Sequence, residues 1–296
     1  MTPKNRLNIL LADDGSQHAQ AAVELLQNIP ISPKSHIWIL RAFNSGQIQF
    51  LSDIEASLER SKNQLAGRGF WVDIELKLGS AAEMILAKAK ANKMELIVLG
   101  AKGLRSAISI LLGGVAQQVM EYAACPVLIV RAPYQGVRKI LLVTDGSPSS
   151  LYAARYLSKF PLPEDADVRV MHVMPPIQSP IMMEPAVGGW DTVYSIFPSQ
   201  GEEEMLRQKD TKHGEALLKR TSGLFQRRGI KVMPVLVRGD AASEIMDYVK
   251  NEKMDLIVAG SRGLGNFQSL WVGSVSRKLV HYSDCSVLIV KEPGKG

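Results

Sequence analysis

Short apolar runs alternate with longer amphipathic stretches along this chain of 296 residues. In the first half, runs of Val, Ile and Leu bounded by turn residues predict strands, and the stretches with helical spacing between them predict helices. The predicted strands are Leu7–Ala12, Ile37–Ala42, Phe70–Leu76, Leu96–Gly100 and Val127–Val130. The predicted helices are Gln17–Gln27, Ile54–Gly67, Ala81–Asn92 and Val115–Tyr122. Strands that alternate with helices indicate an α/β fold in which helices cover both faces of a parallel sheet.

Serine residues mark where several of the helices should begin. Ser16 and Ser80 stand at expected N-cap positions, because a hydroxyl there accepts a hydrogen bond from a backbone N–H of the first turn. In the second half Ser147 is followed by Pro148, and proline is favoured at the first helical position.

The whole pattern occurs twice. Residues 8–16, NILLADDGS, match residues 139–147, KILLVTDGS, at an offset of 131 residues. Residues 94–103, MELIVLGAKG, match residues 254–263, MDLIVAGSRG, at an offset of 160. The second repeat therefore contains 29 additional residues, which enter after about Pro175.

The repeats predict two tandem Rossmann-like domains, each with a five-stranded parallel sheet and helices on both faces. We place them at residues 1–135 and 136–296. The linker, Ala132–Arg138, is short and contains Pro133 and Gly136. So short a connection should hold the domains together with their last strands adjacent.

The additional residues form a predicted insert at 175–205, which is rich in proline. It begins at the end of the second strand, near the expected ligand site of the second domain. Its aromatic residues, Trp190, Tyr194 and Phe197, favour partial docking over full disorder. A surface loop and a lid or partner contact remain alternative interpretations.

Charge and composition narrow the function classes. The net charge is +6 and the pI is about 9.2, which suits an anionic ligand, but the basic residues are dispersed and do not indicate a nucleic-acid binder. The chain has no long apolar run, and Met1–Ser16 has no signal-peptide pattern, so we expect a cytoplasmic protein without a membrane segment. Cys125 and Cys285 occupy equivalent places in the repeats and are predicted to be buried packing groups.

A spaced glycine array in the second repeat is the strongest chemical signal. Gly260 and Gly263 are followed, nine residues later, by Gly273-Ser274 at the start of a predicted helix. Glycine lets backbone N–H groups approach an anion closely, and a helix N-terminus attracts negative charge. The array therefore indicates a phosphate cradle with the Ser274 hydroxyl as an extra donor. In the alternative interpretation, Ser274 or Ser276 only caps the helix.

Asp145 after strand one, Val173 at the end of strand two and the glycine array after strand four lie where a doubly wound sheet binds ligands, at the carboxyl ends of its strands. Asp145 is suited to accept hydrogen bonds from sugar hydroxyls, although it also fits a turn that starts with Gly146. Arg262 lies between two array glycines and fits either a phosphate contact or a solvated loop charge. His172 lies inside an apolar strand and is interpreted as structural.

Together, Asp145-Gly146-Ser147, His172-Val173 and the glycine array resemble the ATP-binding kind of universal stress protein. The resemblance covers nearly the whole chain as two tandem domains, leaving out mainly the insert. It implies that the Val173 backbone holds adenine and that Asp145 binds ribose. We also expect a divalent cation such as Mg²⁺ to screen the phosphates of ATP. The resemblance also implies a set of residues around the phosphates: Gly260, Arg262, Gly263, Gly273, Ser274, Val275 and Ser276.

The first repeat departs from this pattern at three points. Gly114 and Ala116 replace the two serines, and Arg41-Ala42 stands where the second repeat has His172-Val173. Each lost hydroxyl donor removes about 0.5–1.5 kcal/mol of binding free energy, and a glycine at the helix start should loosen the cradle. We therefore predict weak or absent nucleotide binding in the first domain.

The leading hypothesis is an ATP-binding universal stress protein that acts as a regulatory or stress-adaptation module, with nucleotide mainly in the second domain. The sequence has no P-loop, nucleophile elbow or zinc-protease motif and no positioned general base, so we expect no catalytic residue and at most slow hydrolysis. One alternative is a slow ATPase or adenylate-transferring enzyme, and another is a nucleotide-free interaction scaffold. We expect ATP and unidentified proteins as partners and an intramolecular pseudo-dimer of the two domains; further homodimerisation stays open.

Overall fold

The computed structural model describes residues 6–103, 112–176, 200–263 and 272–292. The elements of the first half are β1 Asn8–Ala12, α1 Gln17–Asn28, β2 His36–Phe43, a 3₁₀ turn Ser45–Phe50, α2 Leu51–Ala66, β3 Trp71–Leu78, α3 Ala81–Ala91, β4 Leu96–Gly100, α4 Gly114–Tyr122 and β5 Val127–Val130. Those of the second half are β6 Lys139–Val143, α5 Pro148–Lys159, β7 Asp167–Met174, α6 Gln200–Gln226, β8 Val232–Arg238, α7 Ala241–Glu252, β9 Leu256–Gly260, α8 Ser274–Tyr282 and β10 Ser286–Val290. All nine strands and helices predicted for the first half are confirmed, with ends shifted by a few residues.

The predicted insert overlaps a helix at its end. Residues 200–205 are the first residues of α6, so the last residues of the predicted insert are helical. The segment GEEEM consists mostly of good helix formers, and acidic residues favour a helix N-terminus. The aromatic residues predicted to dock, Trp190, Tyr194 and Phe197, lie outside the described residues.

All ten strands of the described chain form one sheet, in the order β3-β2-β1-β4-β5-β10-β9-β6-β7-β8. Strands within each half are parallel, and β5 pairs with β10 in the antiparallel direction, with Leu128 opposite Leu288. The prediction that the last strands of the two domains are adjacent is therefore confirmed. The strand order reverses between β1 and β4 and again between β6 and β9, which opens a crevice in each half.

Helices cover both faces of this sheet. Alternate strand residues point to opposite faces; Ile9 and Leu11 face the layer of α1, α2, α5 and α6, whereas Leu10 faces the layer of α3, α4, α7 and α8. Each of the two apolar clusters contains residues from both halves of the chain, so the domains share two continuous cores. Among the helices described, none has the combination of length and apolar character that a membrane crossing needs.

Two cations reach across the boundary between the domains. Arg131, directly after β5, donates through Nη2 to the carbonyl of Val280 at 2.8 Å, near the end of α8. Lys291, directly after β10, donates through Nζ to the carbonyl of Glu121 at 2.8 Å, near the end of α4. Carbonyls at a helix C-terminus lack helical partners and carry partial negative charge. Each domain therefore supplies a cation that caps a helix of the other.

Serine hydroxyl groups cap the N-termini of two helices, α1 and α5. Ser16 Oγ accepts from the Ala19 N–H at 3.2 Å, and Ser147 Oγ accepts from the Ser150 N–H at 3.1 Å. The Ser147 hydroxyl also donates to the Arg262 carbonyl at 3.3 Å, which ties the start of α5 to the loop after β9. Ser80 occupies an N-cap position but makes no side-chain capping bond.

We predict that Ser147→Ala lowers the free energy of unfolding by about 1–2 kcal/mol, because a buried cap is lost. Ser80→Ala is the matched control and should change it by less than about 0.5 kcal/mol, since its hydroxyl caps nothing. Denaturant unfolding of both variants measures the difference. Equal effects of the two substitutions would contradict the assignment of the caps.

Burial lowers the pKa of Lys291 to about 8, from an ordinary value of 10.5. Between these two pH values the unfolded chain holds more protons than the folded one, so raising the pH through this window stabilises the fold. We expect wild type to gain about 1 kcal/mol relative to Lys291→Arg between about pH 7.5 and about pH 9.

Arginine keeps a donor at this position and does not titrate in that range. The half-buried thiols of Cys125 and Cys285 are present in both proteins, so they do not contribute to the difference. Unfolding free energies measured across the pH series supply the test. Parallel curves for wild type and Lys291→Arg would show that Lys291 does not lose its proton in the folded protein.

Candidate functional site

A cavity of about 420 Å³ opens in the second domain beside the paired strands β6 and β9, where the strand order reverses. It lies at the carboxyl ends of the strands, between the loops after β6, β7 and β9 and the start of α8. All nine residues predicted for the site line this one cavity: Asp145, Val173, Gly260, Arg262, Gly263, Gly273, Ser274, Val275 and Ser276. The structure therefore brings the predicted residues together.

The start of α8 has the geometry of an anion site. Gly273 is the N-cap, in extended conformation, and its N–H donates to the Ser261 carbonyl at 2.7 Å. The first helical bond runs from the Arg277 N–H to the Gly273 carbonyl at 3.0 Å. The N–H groups of Ser274, Val275 and Ser276 precede that bond and have no helical acceptor. Because these three residues line the cavity, an anion there would meet unpaired donors and the positive end of the helix dipole.

The two serines of this turn differ in what their hydroxyls do. Ser276 Oγ is buried and donates to the Gly260 carbonyl at 2.7 Å. Its hydroxyl proton thus ties α8 to the end of β9 and is not directed into the cavity. Ser274 is exposed at the first position of α8, so its hydroxyl is the side-chain donor that remains for a phosphate.

Close packing explains the first two glycines of the array. A Cβ at Gly260 would lie 2.7 Å from the backbone carbonyl carbon of Ser149, and a Cβ at Gly263 would lie 2.7 Å from Asp145 Oδ2. Both distances are shorter than real Cβ atoms tolerate. Gly260 therefore lets β9 pack against α5, and Gly263 makes room for the Asp145 carboxylate. The sequence analysis assigned both glycines to phosphate contact and did not predict these packing roles.

Asp145 is held in a fixed position at the cavity. Its Oδ1 accepts from the Ser147 N–H at 3.0 Å, which forms a tight turn after β6. Its Oδ2 lies against Gly263, so the carboxylate bridges the loops after β6 and β9. This arrangement combines the two interpretations of Asp145, because the residue both shapes the turn and presents an acceptor to the cavity.

The end of β7 offers backbone groups to the crevice. The Met171 carbonyl accepts from the Thr144 N–H at 2.9 Å, on the β6 side of the strand. Peptide groups alternate in direction along a strand, so the N–H and C=O of Val173 also point to the β6 side. There β6 has already ended at Val143, and Val173 lines the cavity.

His172 points away from the cavity. Its Nδ1 lies 2.8 Å from the Thr144 carbonyl oxygen, and its ring packs beside Gly214 of α6. This position agrees with the structural interpretation of His172.

An apolar wall completes the second-domain cavity. It consists of residues that the sequence analysis did not identify: Val143, Met171, Ala241, Ile245 and Ala259. All but Ala241 belong to the apolar cluster on the side of α7 and α8, and Ala241 is the first residue of α7. The sequence analysis could not assign these residues to a ligand site, because each has the pattern of an ordinary apolar position of a strand or helix.

The first domain has an equivalent cavity of about 540 Å³, with the backbone of the cradle preserved. Gly113 is the N-cap of α4 with φ −76° and ψ 150°, close to the values of −69° and 159° at Gly273. The Gly113 N–H donates to the Ala101 carbonyl at 2.8 Å, as its counterpart does in the second domain. The expected loosening at Gly114 is therefore not seen in the backbone. The cavities differ in their side chains.

The profile of the Universal stress protein family matches residues 5–131 and 136–291. A universal stress protein of Methanocaldococcus jannaschii is 29% identical over 167 residues, which cover 56% of this chain and 89% of that protein. A universal stress protein of Mycobacterium tuberculosis is 23% identical over 310 aligned positions that cover 97% of each chain. The crystal structure of a universal stress protein from Archaeoglobus fulgidus has a TM-score of 0.66 at 18% identity, over 97% of this chain and 96% of that one.

These matches confirm the resemblance and, through the structure, the fold. The likeness to the Archaeoglobus structure extends over both halves, in agreement with the ten-stranded sheet. The chain belongs to the universal stress protein family and carries its domain twice in tandem.

Proposed function

We propose that the second domain binds ATP and that the chain acts as a nucleotide-dependent regulatory module in stress adaptation. The observation that carries this proposal is the convergence of three groups on one cavity. The N-terminus of α8, the Asp145 carboxylate and the backbone of Val173 face the same space of about 420 Å³. That volume is in the range of pockets that hold small ligands.

The three groups suit the three parts of an adenine nucleotide. The N–H groups at the start of α8, with the Ser274 hydroxyl, would hold phosphate oxygens. Asp145 would accept from ribose hydroxyls, and the unpaired backbone of Val173 would hydrogen-bond adenine beside the apolar wall. Arg262 is exposed at the cavity and would add positive charge near the phosphates, where Mg²⁺ would accompany ATP.

Binding without efficient turnover fits this lining best. Among the described residues of the cavity, Asp145 is the acidic one, and the proposed contact with ribose hydroxyls would engage its carboxylate away from the phosphates. A general base needs access to the attacking water. Measuring ADP or AMP release in a single turnover distinguishes binding from the slow ATPase or adenylate-transfer alternative.

The base of the insert offers a route from the cavity to the surface. Pro175 follows two residues after Val173, and its carbonyl accepts from Arg238 Nη1 at 3.0 Å. The same nitrogen pairs with Asp210 Oδ2 of α6 at 3.1 Å. A nucleotide at Val173 would thus act on a point that is connected to both β8 and α6. We propose that occupancy changes the surface that this region offers to partner proteins.

We predict that ATP at about 100 times its dissociation constant raises the free energy of unfolding by about 2.7 kcal/mol. Ser274→Glu should remove this effect, because it places a carboxylate where the phosphates would bind. The glutamate occupies an exposed first-turn position, where an acidic residue suits the helix. Thermal unfolding with and without ATP gives the measurement.

Gly114→Glu is the matched control in the first domain, since a Cβ added there meets no atom within 4 Å. It should leave the ATP effect nearly intact, and native mass spectrometry should find one nucleotide per chain. No stabilisation of wild type at millimolar ATP would refute the proposal. Two nucleotides per chain would refute the restriction to the second domain.

We predict that Gly263→Ala weakens ATP binding about tenfold, because its Cβ displaces the Asp145 carboxylate and costs a hydrogen bond to a charged group. Gly103→Ala makes the same change against Asp14 in the first domain and should leave ATP affinity within about twofold. Calorimetric titration of both variants compares the two sites. If the two substitutions weaken binding equally, Asp145 is not the ribose contact.

A further inference from the structure

The loop after β9 is anchored to the first turn of α5 through the backbone of Arg262. The Ser149 hydroxyl accepts from the Arg262 N–H at 3.2 Å, and the Ser147 hydroxyl donates to the Arg262 carbonyl at 3.3 Å. The backbone of a residue has only two soft dihedral angles. Anchors on both sides of Arg262 therefore fix these angles, and with them the direction in which its side chain leaves the loop.

The Ser149 hydroxyl is not the cap of its helix. Ser147 is the N-cap of α5 and accepts from the Ser150 N–H, whereas Ser149 is the second helical residue. Ser149 is half-buried against the end of β9, where a Cβ added at Gly260 would lie 2.7 Å from its Oγ. Gly260 thus makes room for the hydroxyl that holds the loop.

The anchored residue lies between the two parts of the cavity that carry ligand-binding groups. A Cβ at Gly273, the N-cap of α8, would lie 3.6 Å from the Arg262 Cα, so the start of α8 packs on this residue. The next residue, Gly263, lies against Asp145 Oδ2. Arg262 itself is exposed and lines the cavity. A shift of its backbone would therefore disturb the phosphate end of the site.

The first domain has the same carbonyl anchor and a different residue at the position of Ser149. The Ser16 hydroxyl donates to the Lys102 carbonyl at 3.1 Å. The residue equivalent to Ser149 is His18, whose Nδ1 accepts from the Ala132 N–H of the linker at 2.9 Å. The side chain at this position therefore bonds to the ligand loop in the second domain and to the linker in the first.

We propose that Ser149 is a positioning residue of the ATP site, which holds Arg262 in the direction where its guanidinium meets the nucleotide phosphates. This inference rests on the ATP binding proposed for the second domain. Ser149 is outside the described lining of the cavity, so it acts through the loop and not as a ligand contact. A long side chain that starts from a fixed backbone loses less conformational entropy when it binds, which increases affinity.

The test is a double-mutant cycle in the full chain, with ATP titrated by calorimetry. Ser149→Ala should weaken ATP binding about fivefold, and Arg262→Gln should weaken it about tenfold, because a bond to a charged phosphate is lost. Since Ser149 acts through Arg262, the double variant should bind ATP within about twofold of Arg262→Gln alone. Independent contributions would instead multiply to about fiftyfold.

A second measurement follows the anchor without ligand. The Arg262 amide should exchange its hydrogen about fivefold faster in ligand-free Ser149→Ala than in wild type, because its acceptor is lost. Ser80→Ala, which removes a helix-start hydroxyl that caps nothing, is the matched control and should leave ATP affinity and this exchange rate unchanged.

Unchanged ATP affinity in either single variant, a fiftyfold loss in the double variant, or unchanged exchange at Arg262 would overturn the proposal. With ATP bound by wild type, these outcomes concern Ser149 alone and leave the proposed function standing. No binding of millimolar ATP by wild type would refute the proposed function and this inference together.

Discussion

The antiparallel pairing of β5 with β10 is the contact on which the arrangement of this molecule depends. It joins two parallel sheets into one and lets the apolar layers on both faces continue from one domain into the other. Arg131 and Lys291 reinforce it by capping α8 and α4 across the boundary. The N-termini of these same two helices form the candidate cradles. Each cradle therefore belongs to a helix whose C-terminus is bonded to a cation of the other domain.

The two cavities share a backbone and differ in chemistry. Their N-cap conformations and loop hydrogen bonds nearly coincide, since these depend on strand ends and helix starts that the duplication preserved. Side chains determine the rest. Ser276 ties α8 to β9, whereas Ala116 forms no such bond. Arg41 is a buried cation beside Gly15, whereas the equivalent His172 lies 2.8 Å from the Thr144 carbonyl oxygen through its Nδ1. A preserved backbone thus carries two different sets of side chains.

Hydrophobic periodicity was sufficient to predict the elements, because strands and helices here have clear periods and turn residues at their ends. The spaced glycines, two strand ends and the family resemblance together identified nine residues that line one cavity. Roles that depend on tertiary packing could not be predicted. The need for Gly263 arises from Asp145, far away in sequence, and the bond of Ser276 requires the carbonyl of Gly260 beside it. The burial of Arg41 also escaped prediction, because an arginine at a strand end reads as a solvated charge.

Covalent linkage of the two domains affects how substitutions can alter each ligand site. In a symmetric dimer of identical chains every substitution occurs twice, so a change that benefits one site is imposed on the other. Here β5 and β10 pair like the matching strands of a two-fold dimer, yet they belong to one chain and are coded separately. Arg41 and His172 occupy equivalent positions and differ without altering the shared sheet. The tandem chain keeps the two-fold arrangement of a dimer, while the residues of each cavity can change independently of those in the other.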